Sequence, residues 1–230
     1  HCARFHDRRQ RQISSSQAIP DDFFLSAQSK GLTTAQTLVF QSMIYGGNNN
    51  QLVSVKAVDE AYPLRGELIV ADQPFADGYP INGVPAPGEI WLDSRLFPAL
   101  GVSLGEEVEV GMASLRIGGV LVAEPDRGGS MFDLGPRLLM NLQDVPATEV
   151  VQPGSRLSYR MLLAGDNDEL EALKEALPLQ PNYRWASIRE SSSSIGNALD
   201  RAESFLLLGG LLGVLLAGVA VGLSAHRYAQ

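Results

Sequence analysis

Apolar and polar positions alternate in short runs over most of the chain, and near its end the polar positions drop out altogether. Gln51 to Val58 sets Leu52, Ser54 and Lys56 against Val53, Val55 and Ala57, the period of two expected of a β-strand. Ala35 to Tyr45 alternates in part. Gly46 to Asn50 lies between the two runs with turn chemistry, so the pair predicts a hairpin. Further strands are expected at Glu67–Ala71, Gly88–Asp93, Glu107–Val110, Ser114–Ala123, Arg137–Asn141, Leu157–Leu163 and Tyr183–Ile188. Leu157, Tyr159, Met161 and Leu163 would share one face, and the short strands after Gly105 have a small-barrel rhythm.

Helical signals are fewer. Asp21–Lys30 opens with acids and closes at Gly31, and a short helix behind Asp93 or Ser94 should end at Gly101. Gln143–Thr148 reads as a helical turn. Asp166–Leu177 is acid-capped, with Leu170, Leu173 and Leu177 on one side. Tyr62–Gly88, rich in Pro and Gly, reads mostly as loop, and the polar residues 1–19 as a loosely held, disorder-prone lead-in. The class expected is α+β, with a mixed α/β domain over 20–190.

Phe205 to Leu223 (FLLLGGLLGVLLAGVAVGL) is a run of 19 residues without a charge or a polar side chain. As a helix it covers about 28 Å, the hydrocarbon thickness of a bilayer. Eight of its residues are Leu, which favours insertion by about 4 kcal/mol. A buried core helix usually breaks its apolar run sooner, after roughly 10–14 residues. Gly209 with Gly213, and Gly218 with Gly222, have the small-xxx-small spacing that lets membrane helices pack closely. Arg227 follows at the cytoplasmic flank, which places residues before 205 outside the cytoplasm and starts a cytoplasmic segment at 224–230. A connecting helix is expected over 191–204, capped by Ser191–Ser194, with Ile195, Leu199 and Ala202 on one face. Joined to the span it would act as a lever.

The chain carries 18 Lys and Arg against 26 Asp and Glu. Arg4, Arg8, Arg9 and Arg11 against Asp7 give residues 1–12 a local +3, which leaves the remainder at 14 against 25, a balance of −11. A body this acidic argues against nucleic acid as a partner. Cys2 is the single cysteine, so no internal disulfide forms. An exported domain needs an export signal, so an earlier membrane helix is expected upstream of His1.

No catalytic constellation emerges. His1, His6 and His226 lie in the lead-in or beyond the span, leaving the globular part without a histidine for nucleophilic or zinc chemistry. A Ser-Lys dyad of Lys30, Lys56 or Lys174 with Ser54 or Ser191 is the weak exception. Asp166, Asp168, Glu169 and Glu171 suit a helix N-terminus, and Glu106, Glu107 and Glu109 a solvated strand face. Asp126-Arg127-Gly128-Gly129 with Asp133 reads as a Gly-rich turn before it reads as a cation site. Trp91 and Trp185 read as core or interface aromatics. Neither a cofactor nor a metal is expected.

Leu52-Val-Ser-Val-Lys-Ala-Val-Asp59 with Tyr62-Pro-Leu-Arg-Gly-Glu67, Pro87-Gly-Glu-Ile-Trp-Leu-Asp93, Leu100-Gly-Val-Ser-Leu-Gly105 and Gly118-Gly-Val-Leu-Val-Ala-Glu-Pro-Asp126 together resemble the extracytoplasmic domain of bacterial ABC-transporter permeases of the MacB/FtsX/LolC type. Within that group the chain is most similar to the YbbP-like permeases, over about residues 15–230. The resemblance implies a two-lobed mixed α/β periplasmic domain followed by the second membrane helix, in the bacterial inner membrane. It also implies a cytoplasmic ABC ATPase, a second permease subunit, like or unlike, and membrane lipid as partners. ATP hydrolysis would then move the periplasmic domain for export or extraction of a lipophilic or envelope substrate. The basic lead-in would face the periplasm against the positive-inside tendency. Either it is not native sequence there or it pairs with an acidic periplasmic partner. The competing readings are a sensor that signals through one lever helix and a membrane-anchored hydrolase.

The orientation is testable by labelling. With Cys2 replaced by Ser, Ser194→Cys should react with a membrane-impermeant maleimide in intact spheroplasts, and Ser224→Cys only after permeabilisation. The reverse pattern would overturn the orientation.

Overall fold

Alternation becomes pairing first at β2 (Thr33–Gly46) and β3 (Asn49–Val58), which run antiparallel from Thr37↔Val58 to Gly46↔Asn49. The computed structural model describes residues 9–127, 135–178 and 181–187. The hairpin turns on Gly47 and Asn48. Gly47 has φ 57°, and a Cβ there would lie 2.8 Å from the Leu100 carbonyl oxygen, so both conformation and space require glycine.

The other strands are β1 (Arg9–Ser15), β4 (Leu68–Ala71), β5 (Tyr79–Ile81), β6 (Glu89–Asp93), β7 (Glu107–Val110), β8 (Ala113–Ala123), β9 (Arg137–Asn141), β10 (Leu157–Gly165) and β11 (Arg184–Ser187). All join one sheet in the order β11-β1-β10-β2-β3-β9-β6-β8-β4-β5, with β7 off the path. Pairs are antiparallel except β3 with β9 and β6 with β8. Because β7 pairs with both β2 and β8, the strands β2-β3-β9-β6-β8-β7 close into a six-membered ring. Alternate residues of those strands point inward, with the phase shifted once in β8 between Ile117 and Gly119. Phe40, Val55, Leu138, Leu92, Val120 and Ile44 are among those that fill the interior, with Leu96, Phe97 and Leu100 of α2 (Leu96–Leu100) packed against them.

Beyond β2 the sheet runs on as a wing of β10, β1 and β11. Its inner face, continuous with the barrel interior through Tyr159, packs Ile13, Met161 and Leu163 against two helices. These are α1 (Asp21–Ser29), with Phe23 and Ala27, and α4 (Asn167–Ala176), with Leu170 and Leu173. Asp166 and Glu169 cap α4 reciprocally. A 3-10 turn at Leu142–Asp144 leads into α3 (Val145–Thr148), the helical turn expected after β9.

Three expectations need correction. Residues 9–15 are not a loose lead-in but β1, held between β10 and β11, because Ile13 is fully buried and both strand edges are paired. The Pro/Gly-rich stretch contains β5, an outermost strand, where Pro80 fits because its missing N–H faces no further strand. Asp93 and Ser94 do not cap α2. Arg95 is the N-cap residue, and the Asp93 carboxylate accepts from the Arg95 N–H at 3.1 Å and from its guanidinium at 2.8 and 2.9 Å. Gly101 ends α2 in the left-handed region as expected. Among the described residues no helix is long and apolar enough to cross a membrane. The expected connecting helix at 191–204 and span at 205–223 lie outside them.

Ile13→Ala should cost about 2–5 kcal/mol, the price of a cavity at a fully buried aliphatic position, read as a lower urea midpoint. An unchanged midpoint would show that β1 is not held as described.

Candidate functional site

Lys56 lies mid-strand on β3, on the barrel's outer side, and is 1 % exposed. A buried ammonium is costly unless its three donors are satisfied, and here all three are. Lys56 Nζ donates to Tyr62 Oη at 2.8 Å, to Glu124 Oε2 at 3.0 Å and to Asp126 Oδ1 at 2.6 Å. Its ammonium also lies 4.5 Å from the Tyr62 ring centroid. Tyr62 Oη donates in turn to Asp126 Oδ1. Arg137, at the start of β9 and directly opposite Ser54, donates from Nε to Glu124 Oε1 at 2.5 Å and from Nη1 to Ser54 Oγ at 2.6 Å.

The chain folds to deliver each group. The parallel β3–β9 register puts Ser54 beside Arg137. β3 ends in a turn that Asp59 organises, its carboxylate accepting from the Gln36 N–H at 2.6 Å and the Ala61 N–H at 3.2 Å, and this places Tyr62. Burial raises the Asp59 pKa despite those hydrogen bonds. Glu124 and Asp126 follow directly on β8. Arg127 then spans the next segment, donating to the Gly135 carbonyl at 3.0 Å and lying 3.6 Å from Asp93.

Electrostatics divide the cluster into charged and neutral members. Burial alone would raise the Asp126 pKa, but the Lys56 charge and hydrogen bond, the Tyr62 hydrogen bond and the Arg160 charge outweigh it and hold the carboxyl below its usual range. Tyr62 is pushed well above the ordinary phenol value, first by burial, then by the Asp126 and Glu124 charges and the hydrogen bond it donates. Tyr62 therefore stays neutral. Lys56 has no donor left over and Ser54 is bound to Arg137, so these two belong to a structural clamp rather than a Ser-Lys dyad, while Ser191 lies outside the described residues. The clamp ties β3, the turn behind it, the end of β8 and β9 into one body.

Other sequence candidates fall elsewhere. Glu106, Glu107 and Glu109 are exposed, as a solvated face requires. Asp168 and Glu169 lie in the first turn of α4. Trp91 packs in the apolar cluster outside the barrel with Leu139 and Leu121, and Trp185 against the wing core. Asp126 belongs to the clamp, while Gly128, Gly129 and Asp133 are outside the described residues, as are Gly209, Gly213, Gly218, Gly222 and Arg227. Sequence reasoning missed Tyr62, Glu124 and Arg137. The available signal was a lone Lys in an apolar strand.

Three comparisons bear on this domain. The model of the MacB-like periplasmic core domain matches residues 6–178. An uncharacterized ABC transporter permease, YbbP of Escherichia coli (strain K12), is 36 % identical over 222 residues, covering 96 % of this chain and 27 % of that protein. The chain thus spans about a quarter of that permease. The crystal structure of the extracellular domain of the noncanonic ABC-type transporter YknZ from Gram-positive bacteria superposes with a TM-score of 0.50 at 11 % identity, over 77 % of this chain and all of that one.

Lys56→Met should destabilise the domain by about 3–5 kcal/mol at neutral pH, because it strips the buried Asp126 carboxylate of its paired ammonium and leaves Glu124 with Arg137 alone. Tyr62→Phe, which removes one hydroxyl, should cost about 1–3 kcal/mol. The stabilisation conferred by the depressed Asp126 pKa is present above the unfolded value of about 3.9 and is lost as pH falls through the lower folded value. The Lys56→Met deficit should therefore narrow towards pH 3 in urea titrations. A deficit constant with pH would refute the ion-pair account.

Proposed function

The chain belongs to the family of MacB-like periplasmic core domains, and from that premise we propose that it serves as the periplasmic part of a bacterial ABC transporter permease. In this reading residues before 205 are periplasmic, the span at 205–223 crosses the inner membrane, and Arg227 lies on the cytoplasmic side. Gly209, Gly213, Gly218 and Gly222 pack that span against a neighbouring membrane helix. The partners are a cytoplasmic ABC ATPase and a second permease subunit. ATP hydrolysis moves the helices, and the helices move this domain to export or extract a lipophilic or envelope substrate. The barrel and the wing are the two lobes of that layout.

The observation that carries the reading is the family match across residues 6–178. The fold supports it, because a domain clamped by buried ion pairs suits transmission of movement better than turnover. The comparisons favour a permease over a receptor.

The full-length parent should be purified in mild detergent and its co-purifying proteins identified. A stoichiometric nucleotide-binding subunit with vanadate-sensitive ATPase activity is expected. Recovery of the parent alone, or with a kinase-type partner, would overturn the proposal.

A further inference from the structure

The wing has a second face, turned away from α1 and α4, and its chemistry is of another kind. Ser14 of β1 pairs with Arg184 on one side and Arg160 on the other, so the three side chains form one cross-strand row. Ser158 lies two residues from Arg160 on the same face and accepts from its Nε at a long 3.5 Å. A groove of about 480 Å³ runs here, lined by Ser14, Ser16, Arg156, Ser158, Asn182 and Arg184 among others, and none of the described residues that line it is acidic. That is notable in a chain with more acids than bases.

The two arginines of the groove differ from the arginines that are held in ion pairs. Arg95, Arg116, Arg127 and Arg137 each face a carboxylate. Arg156 and Arg184 are exposed, and their guanidiniums have neither a hydrogen bond nor an ion pair with the described residues. A guanidinium offers a planar fork of donors that matches an oxyanion bidentately, and serine hydroxyls and an asparagine amide add neutral donors beside it. The groove volume lies within the range of small-molecule sites, roughly 300–1,000 Å³, and exceeds what a bare oxyanion fills. We propose that this groove binds a phosphate ester, with Arg156 and Arg184 as its charge partners. The proposal stands on the geometry of the wing and does not depend on the transport reading.

Two sources carry this chemistry, a soluble phosphate ester and a phospholipid headgroup. Calorimetric titration of the whole 230-residue chain in neutral maltoside micelles with glycerol 3-phosphate, monomeric dihexanoylphosphatidic acid and inorganic phosphate separates them. Saturable binding of an ester in the millimolar range or tighter is expected, weakened at least about tenfold in Arg156→Gln/Arg184→Gln. Lys30→Gln/Arg65→Gln removes the same charge elsewhere and should leave binding unchanged. Arg156→Gln alone should give a smaller loss and serves if the double variant fails to fold by circular dichroism. Tighter binding of the lipid assigns a headgroup, and equal binding of the two esters a soluble ligand. Absence of saturable binding, or affinity that survives Arg156→Gln/Arg184→Gln, would overturn the site. Inorganic phosphate binding as tightly as either ester would overturn its assignment to an ester.

Discussion

A single buried ammonium organises the outer side of the barrel. Lys56 can stay buried only while Glu124, Asp126 and Tyr62 surround it, and Glu124 can stay buried only while Arg137 shares its charge. The constraint is mutual, so none of the segments that carry these residues can leave singly. A buried ion pair adds little net stability over a well-packed apolar pair, but loss of one partner is expensive. Its consequence is uniqueness of arrangement. Contacts between residues 70 and 83 positions apart fix where the β8 exit and the start of β9 sit relative to β3.

The two faces of the sheet are put to different use. The inner face is apolar without a break from the barrel, through Tyr159, to the helix-covered wing. The outer face holds a small apolar cluster around Trp91 and Leu139, the clamp, and then the serine and arginine row of the wing. Arg160 lies between the last two, since its charge acts on Asp126 while its Nε reaches Ser158. Polar chemistry is thus segregated to one side of one sheet, and the core is left free to close the barrel.

How much of this the sequence reveals depends on the range of the interaction. The β2–β3 hairpin was legible, because alternation and turn chemistry are local. So was α4, whose cap and leucine spacing occupy one short stretch. The closure by β7 was not, because Ile44↔Val110 and Tyr45↔Glu109 join positions far apart in the chain with nothing local to mark them. Strand β1 escaped notice because Ile13 is its only apolar residue, and burial from two flanking strands is invisible in a polar heptad. The clamp escaped for a related reason. Alternation alone sets Lys56 on one face with Leu52 and Ser54, and nothing in it reveals that β3 is buried on both faces from Val53 to Val58.

The wing also decides how movement would enter the domain. Its first and last strands are neighbours, and Arg11 lies opposite Ser187, so the entering and leaving ends of the described chain meet in one antiparallel ladder. In the proposed function, a shift of the segment behind Ser187 acts on β11 and passes at once to β1 and then to β10. A ladder pulled lengthwise resists through all its hydrogen bonds together, and β10 continues that ladder into β2, a strand of the barrel itself. Displacement therefore reaches the barrel through backbone pairing rather than through side-chain contacts alone. The clamp on the barrel's outer side then keeps the far segments from slipping as it arrives. A domain built this way moves as one piece, which is what a lever requires of its load.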